Sequence, residues 1–171
     1  MKSTTTYTVK YRRKRDGRTD YKKRLNLLKS KKDRLIIRKT NTKIILQIAS
    51  YNPDGDKVVL SVDSLALKKM GWNYSCKNIP AAYLSGLLLA KRAKEKKIKG
   101  AILDLGLKSP LKGSKLFSAL KGVIDGGLNV PAGEGIFPIE ERIKGEHVSA
   151  YLSKFKSISD DFEKLKNKLK E

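Results

Sequence analysis

Apolar side chains are spaced as in strands over one part of the chain and as in helices over the rest. Three segments rich in β-branched residues, 34–39, 43–51 and 57–62, follow one another across two short polar turns. They predict an antiparallel three-strand unit. The first turn, Thr40-Asn41-Thr42, gives the hairpin a polar and basic tip, and the second, Asn52-Pro53-Asp54-Gly55, combines residues that favour turns.

Helical spacing of apolar residues occurs before and after this unit. Helices are predicted over residues 21–30, 81–97 and 114–125, each beginning near a residue that commonly caps a helix. The capping residues are Thr19 or Asp20 for the first helix, Asn78 for the second and Ser114 for the third. Gly126-Gly127 ends the third helix. In the second helix, the predicted inward face carries Tyr83, Leu87 and Ala90.

A short apolar run at residues 100–105 (GAILDL) lies between the second and third helices. Runs of this length are typical of strands buried on both faces. Upstream, the less regular residues 63–79 contain apolar side chains that we interpret as packing residues: Leu65, Leu67, Met70 and Trp72. This order of elements predicts an α/β (α+β) fold, in which helices pack a mixed sheet led by the antiparallel unit and its basic hairpin.

The C-terminal part of the chain is less regular. Residues 129–139 contain two prolines and two glycines and predict a loop, and residues 140–152 are weakly helical. Apolar residues then recur at 3-4-3-4 spacing from Phe155 to Leu169, with Ser159 as a possible N-cap. This stripe favours a helix docked on the core over a helix that binds a partner protein.

Positive charge is concentrated at the N-terminal end. The first 43 residues contain 17 Lys or Arg and three acidic residues, and so carry +14 of the net charge of +22. The densest part, residues 10–15 (KYRRKR), cannot bury an apolar face because nearly every side chain is a cation. These cations repel one another, and a polyanion relieves that repulsion while releasing its own condensed counterions. The charge therefore predicts a nucleic-acid-binding protein.

The same reasoning divides the chain into three parts. Residues 1–18 are predicted to be a basic arm, disordered or ordered by its partner, followed by a core domain (19–128) and a loop and helical tail (129–171).

A basic run can also bind an anionic membrane or act as a nuclear address. The arm has few apolar anchors for a membrane: Tyr7, Val9, Tyr11 and Tyr21. Tyrosines interleaved with arginines suit base stacking and phosphate pairing, but charge alone does not separate RNA from DNA.

The loop after the predicted apolar strand (GLKSPLKGSK) is similar to a phosphate-binding loop. A Walker loop has four residues between its glycines, whereas six separate Gly106 from Gly113, and Pro110 removes a backbone amide. Nucleotide hydrolysis is therefore disfavoured, which leaves a nucleotide-dependent enzyme as the weakest alternative. The lysines of this loop, near a helix N-terminus, remain a candidate site for an RNA phosphate. They are Lys108, Lys112 and Lys115.

Residues that could support catalysis or bind a metal are scarce. His147 is the sole histidine and Cys76 the sole cysteine, so a disulfide, a histidine pair and a cysteine cluster are excluded within the chain. We interpret Cys76 as a buried or half-buried small hydrophobe, and His147 as structural or RNA-contacting. Asp104 follows the apolar strand, where catalytic groups often lie, but without a second carboxylate nearby a cap or a salt bridge explains it better. We expect no enzymatic activity, no metal and no cofactor.

Membrane and secretory signals are also lacking. The longest apolar stretch, residues 81–90, is about half of the roughly 20 residues that a membrane span needs. The N-terminus has no apolar segment of the kind found in signal peptides. We therefore expect a cytoplasmic protein.

The hairpin offers chemistry suited to RNA. Alternate side chains of a strand share a face, so we expect Arg34, Ile36 and Arg38 on one face of the first strand. The other face then carries Leu35, Ile37 and Lys39. Cations and Asn41 at the tip can contact phosphates, 2′-hydroxyls and base edges. No aromatic residue occurs on these strands before Tyr51. An aromatic stacking platform is therefore not predicted, and recognition of folded RNA by shape and backbone is favoured.

Several segments together resemble the archaeal and eukaryotic branch of the large-subunit ribosomal protein family L-eighteen, which binds 5S rRNA. They are YRRKRDGRTDYKKRLNLLKS, RLIIRKTNTKIILQI, NPDGDKVV, GWNYSCKNIPAAYLSGLLLAKRA, GAILDLGL, GSKLFSALKGVIDGGLNVP and RIKGEHVSAYL. The resemblance covers nearly the whole chain and is least family-typical from about residue 153. Since the chain has no long C-terminal extension of the eukaryotic kind, the archaeal branch is expected.

The resemblance implies a structural RNA-binding protein of the central protuberance of the large subunit. Its expected partners are 5S rRNA, the large-subunit rRNA and neighbouring ribosomal proteins. The family binds RNA through the basic N-terminal region and the sheet and hairpin region. Carried over onto this sequence, that implies RNA contacts by Lys10, Arg12, Arg13, Lys14, Arg15, Arg18, Tyr21, Lys22, Arg24, Arg38, Lys39, Asn41 and Lys43.

Overall fold

Four strands form one mixed sheet in the order β3-β2-β1-β4. The computed structural model describes residues 8–109, 111–133 and 135–170. Strand β1 pairs with β2 antiparallel and with β4 parallel, and β2 pairs with β3 antiparallel. The strands are β1 (Arg34–Lys39), β2 (Ile44–Ser50), β3 (Lys57–Asp63) and β4 (Ile102–Asp104). The predicted three-strand unit and the mixed α+β fold are thus confirmed.

Seven helices surround the sheet or flank it in the described part of the chain. They are α1 (Arg12–Arg15), α2 (Tyr21–Leu28), α3 (Ile79–Glu95), α4 (Lys115–Asp125), α5 (Glu140–Lys144), α6 (Glu146–Tyr151) and α7 (Ile158–Lys170). Short 3-10 helices occur at Ser64–Met70 and Ser153–Phe155. The Asp20 and Asn78 side chains accept hydrogen bonds from the backbone N–H groups of Lys23 and Ala81, as expected of N-caps. None of the described helices combines the length and apolar character needed to cross a membrane.

One face of the sheet forms the core with α3 and α4. Alternating residues of β1 and β2 are fully buried on this face, because side chains two apart in a strand share one side. The buried residues are Leu35, Ile37, Ile44, Leu46 and Ile48. The opposite face carries Arg34, Ile36 and Arg38, in agreement with the predicted alternation.

Helix α3 lies at the centre of the molecule. Every residue from Ile79 to Ala90 is buried, and not only the predicted face, because the sheet, α4, α5 and α7 all pack against it. Helices α3 and α4 approach closely where glycine is present on both. A Cβ at Gly86 would lie 2.2 Å from the Ala119 carbonyl oxygen, and one at Gly122 would lie 2.1 Å from that of Tyr83. The glycines permit a contact that side chains would prevent.

The C-terminal stripe docks on the core, as predicted. Ile158, Phe162 and Leu165 are buried, and the Phe162 ring lies 5.6 Å from that of Tyr83 in α3. The expectation that Ser159 caps this helix was wrong. The backbone N–H of Asp161 donates to the Ser157 carbonyl, so the first turn begins before Ser159.

Two other expectations about packing were also wrong. Strand β4 lies at an edge of the sheet beside β1, and its Ile102 and Leu103 are half-buried instead of buried on both faces. Leu65 is 39% exposed because, with three residues per turn in a 3-10 helix, it lies on a different face from Ser64 and Leu67, which are buried. Leu67 and Trp72 do pack in the core, as expected.

Candidate nucleic-acid interface

The basic arm contains a short helix in its described part. Four consecutive cations form α1 (RRKR), and none of them is buried. The arm is held to the start of α2 by the Tyr11 and Tyr21 rings, 5.0 Å apart, and by a 2.9 Å hydrogen bond from Arg13 Nε to Thr19 Oγ1. Residues 8–18 thus have a defined path, which the sequence pattern does not show, while residues 1–7 of the predicted arm lie outside the described residues.

The predicted RNA-binding cations of the arm are all exposed. Within the described residues, none of them forms an ion pair with an acidic side chain. They are Lys10, Arg12, Arg13, Lys14, Arg15 and Arg18. Unpaired cations at this density raise the local positive potential and attract a polyanion.

Helix α2 connects the arm to the open face of the sheet. Tyr21 is half-buried and Lys22 is exposed. Lys23 Nζ donates to the Gly106 carbonyl at 2.9 Å, and the Arg24 guanidinium donates to both carboxylate oxygens of Asp56 at 2.8 Å. These contacts hold α2 over the sheet face and leave a groove of about 810 Å³ between them, lined in part by Arg13, Arg18 and Lys108.

An ionic cluster forms the floor of this groove. Arg34 is almost fully buried; its Nη1 donates to Asp104 Oδ2 at 3.0 Å, and its Nη2 lies 2.5 Å from Asp56 Oδ2. Arg38 Nη2 donates to Asp104 Oδ1 at 3.0 Å and its Nη1 to the Asp104 carbonyl at 2.6 Å. We call Arg24, Arg34, Arg38, Asp56 and Asp104 the arginine cluster. Its three cations face two carboxylates, so most of their charge is neutralised within the protein.

The arginines hold both carboxylates ionised. Burial by itself raises the pKa of Asp104, but Arg38, the Gly106 amide and Arg34 together lower the pKa below its ordinary value of 3.8. At Asp56, burial again raises the pKa, and the hydrogen bonds from Arg24 and Arg34 lower it by more. The prediction that Asp104 acts as a cap or forms a salt bridge is therefore confirmed, because it pairs with Arg34 and Arg38 and also accepts a hydrogen bond from the Gly106 N–H. Arg24 and Arg38, predicted to bind RNA, have side chains only 31% and 39% exposed.

The hairpin tip presents polar side chains on a closed turn. The Thr40 N–H donates to the Lys43 carbonyl at 2.9 Å, and the Lys43 N–H donates to Thr40 Oγ1 at 3.0 Å. Lys39 and Asn41 are exposed. Lys43 Nζ instead forms a 2.6 Å ion pair with Asp63, and this hydrogen bond is the main reason that the pKa of Asp63 is lowered. Of the hairpin residues predicted to bind RNA, Lys39 and Asn41 are thus the freest.

Beside the hairpin tip is a cleft of about 440 Å³ that sequence reasoning missed. Three lysines from different segments line it: Lys68 of the first 3-10 helix, Lys77 before α3, and Lys115 at the start of α4. Asn41 and Thr42 form its wall on the hairpin side. We call it the lysine cleft. One sequence signal could have indicated it, since Lys77 and Lys115 stand at helix N-termini, where cations are unfavourable.

The predicted phosphate site in the loop before α4 is not formed as expected. Lys108 lines the groove, whereas Lys115 lines the lysine cleft, and Lys112 lines neither. The loop therefore places its lysines on separate surfaces, and a turn at Gly113, which has φ +66°, separates Lys115 from the other two.

The lone cysteine and histidine have different environments. Cys76 is buried and, as predicted, acts as a small hydrophobe; burial raises the pKa of its thiol. His147 is exposed on α6, so the sequence interpretation of it as structural or RNA-contacting stays a prediction.

Comparison with known proteins shows the family. The model of the family described as ribosomal large subunit proteins 60S L5 and 50S L18 matches residues 5–99 and 94–133. The large ribosomal subunit protein uL18 of Korarchaeum cryptofilum is 50% identical over 148 residues, covering 86% of this chain and 76% of the relative. The protein of the same name from Methanoregula boonei is 45% identical over 159 residues, covering 93% of this chain and 91% of the relative. The chain belongs to this family of large-subunit ribosomal proteins, as the sequence resemblance predicted.

Proposed function

We propose that the protein is a structural constituent of the large ribosomal subunit that binds 5S rRNA and attaches it to the large-subunit rRNA in the central protuberance. The observation that carries this proposal is the exposed and unpaired charge of the arm in a member of a large-subunit ribosomal protein family. Its place is accordingly the ribosome in the cytoplasm, beside other large-subunit proteins. Its role there is to bind and position RNA, with no reaction to catalyse.

The geometry supports binding through the phosphate backbone. The arm places six cations within the nine residues 10–18, and each one that meets a phosphate releases condensed counterions. Tyr21 and Lys22, at the start of α2, continue this surface towards the sheet. Lys39 and Asn41 at the hairpin tip add a donor and an amide that can read a 2′-hydroxyl or a base edge. Folded RNA, in which phosphates from several strands converge, matches a surface made of separate segments.

Arg24, Arg38 and Lys43 differ from the cations of the arm because acidic side chains pair with them. Each is held by a carboxylate at 3.0 Å or less, so each can meet a phosphate only through the part of its side chain that remains exposed. We propose that they orient the surface and contribute weaker RNA contacts than the unpaired cations of the arm.

Competition between nucleic acids tests the proposal. Folded 5S rRNA is expected to displace the full-length protein from duplex DNA at stoichiometric levels, because a rigid duplex cannot present converging phosphates to arm and hairpin together. Equal affinity for the two would overturn the RNA assignment in favour of a general DNA-binding protein. An equilibrium titration with ATP and GTP, expected to show no binding, separates the remaining alternative of a nucleotide-dependent enzyme.

The salt dependence provides a second measurement. If about 6–8 cations engage phosphates, log affinity for 5S rRNA should fall against log salt with a slope of about −5 to −7. A slope near −1 would contradict an electrostatic mode of binding.

A further inference from the structure

The lysine cleft differs from the arginine cluster in having no internal counter-charge. Within the described residues, Lys68, Lys77 and Lys115 form no ion pair, and neither does Lys39 beside them. The residues that line the cleft include no carboxylate. Burial, and then the nearby charges of Lys77 and Lys39, lower the pKa of Lys115, which shows that like charges converge there.

The positions of two of these lysines are unfavourable for folding. Lys77 directly precedes the N-cap of α3, and Lys115 is the first residue of α4. Neither helix has an acidic residue in its first turn, so no carboxylate of that turn offsets the repulsion between the positive end of the helix dipole and the adjacent lysine. An anion in the cleft would offset this electrostatic cost, because its negative charge is attracted both by the lysines and by the positive ends of the two helix dipoles.

The cleft is partly apolar as well as basic. Tyr74 in its wall is packed between Trp72 and Phe155, at ring distances of 4.9 and 5.7 Å, and its hydroxyl donates to Asp161 at 2.7 Å. Leu65 adds an exposed apolar edge. Asn41 and Thr42 join the cleft directly to the hairpin tip, where RNA contacts are already proposed. A chain that alternates phosphate with an apolar and hydroxylated sugar fits such a lining better than a uniformly acidic peptide does.

From these observations we infer that the lysine cleft binds a backbone segment of ribosomal RNA, whose phosphates pair with Lys68, Lys77 and Lys115, in addition to the contacts of the arm and the hairpin tip. The inference rests on the proposed function. The segment belongs to 5S rRNA or to the large-subunit rRNA, and measurement on each RNA distinguishes the two sources.

The test replaces Lys68, Lys77 and Lys115 together by Gln in the full-length protein. Affinity is measured against salt for 5S rRNA, and then for the protein–5S rRNA complex titrated onto large-subunit rRNA. For the RNA that occupies the cleft, the slope of log affinity against log salt should become less negative by about 2–3, because each lost phosphate contact accounts for about 0.7–0.9. The affinity for that RNA should fall roughly 100-fold at 0.1 M salt. Replacing the same three lysines by Arg keeps the charge and should keep the slope.

A matched control removes three positive charges elsewhere. Lys164, Lys168 and Lys170 are exposed on α7, and their replacement by Gln should leave both slopes within about one unit of the unmodified protein. The melting temperature gives an independent readout: it should stay the same or rise in the cleft variant, because the substitutions relieve repulsion at two helix N-termini.

The outcomes distinguish failure of the cleft assignment from failure of the proposed function. Unchanged slopes on both RNAs in the cleft variant, with normal binding by the unmodified protein, would overturn the cleft and leave the proposed function standing. Equal losses in the cleft and control variants would also overturn it, by showing a general charge effect. If the unmodified protein binds neither RNA, the proposed function fails and the cleft assignment fails with it.

Discussion

The basic arm and the arginine cluster are both rich in cations, yet their cations have opposite surroundings. Those of the arm are exposed and have no acidic partner within the described residues, whereas Arg24, Arg34 and Arg38 share two carboxylates beneath the groove. A free cation loses little by moving from solvent to a phosphate. A paired and half-buried one would have to leave a carboxylate that then lies buried without a partner, at a cost of several kcal/mol. Charge proposed to bind RNA and charge that stabilises the fold therefore differ in pairing, not in residue type.

The largest expected effect comes from neutralising the arm. Replacing Arg12, Arg13, Lys14 and Arg15 by Gln should lower the affinity for 5S rRNA by about 10³-fold at 0.1 M salt and flatten the salt slope by about 3, because four phosphate contacts are lost. Thermal unfolding should hardly change, since none of the four is buried. The control is the triple α7 variant described above, which removes three positive charges instead of four. A large fall in melting temperature would show that the arm belongs to the folded core.

The arginine cluster should respond in the opposite way. Asp104→Asn removes a carboxylate that holds both Arg34 and Arg38, and should lower the free energy of unfolding by about 3–5 kcal/mol. It should not flatten the salt slope, because it removes no cation. Urea titration measures the first quantity and RNA binding the second. Asp54→Asn, on an exposed residue of the same groove, should change stability by less than about 0.5 kcal/mol. Similar effects of the two substitutions would contradict a structural role for the cluster.

Acid pH gives a smaller and graded effect on the same cluster. The pKa values of Asp56 and Asp104 in the folded protein lie below their ordinary value of 3.8, so the ionised carboxylates stabilise the fold. This stabilisation is complete above the unfolded pKa and is lost as pH falls through the folded pKa values. In urea titrations from pH 7 to pH 2, Asp56→Asn should therefore show a weaker decline in stability than the unmodified protein. Parallel curves for the two proteins would argue against the lowered pKa of Asp56.

The hairpin tip provides the smallest and most direct test of pairing. Lys39→Gln should flatten the salt slope for RNA by about 0.7–0.9, because Lys39 is exposed and has no described ion pair. Lys43→Gln should have less effect, since its ammonium group is already 2.6 Å from Asp63. If the two substitutions weaken binding equally, the ion pair with Asp63 does not compete with RNA.

Local sequence features predicted most secondary-structure elements because their causes are local. The Asn78 cap, the hairpin residues around Thr40 and the helical stripe that ends at Leu169 all act over a few residues. The errors arose where packing between distant segments decides. Strand β4 is half-buried because it lies at the sheet edge. Leu65 is exposed because its segment is a 3-10 helix and not an extended strand, in which Leu65 and Leu67 would share a face. Neither fact can be recovered from the composition of the segment itself.

The amino-acid sequence by itself determined where the positive charge is concentrated, which segments become strands and helices, and which family the chain resembles. The tertiary structure alone decided which cations are free. Arg34 and Asp104 are 70 residues apart in the chain and meet only because β1 and β4 pair in parallel, and Lys68, Lys77 and Lys115 converge only because three segments pack against the hairpin. The physical reason is that ionic interactions depend on distance in space, whereas a sequence records only distance along the chain.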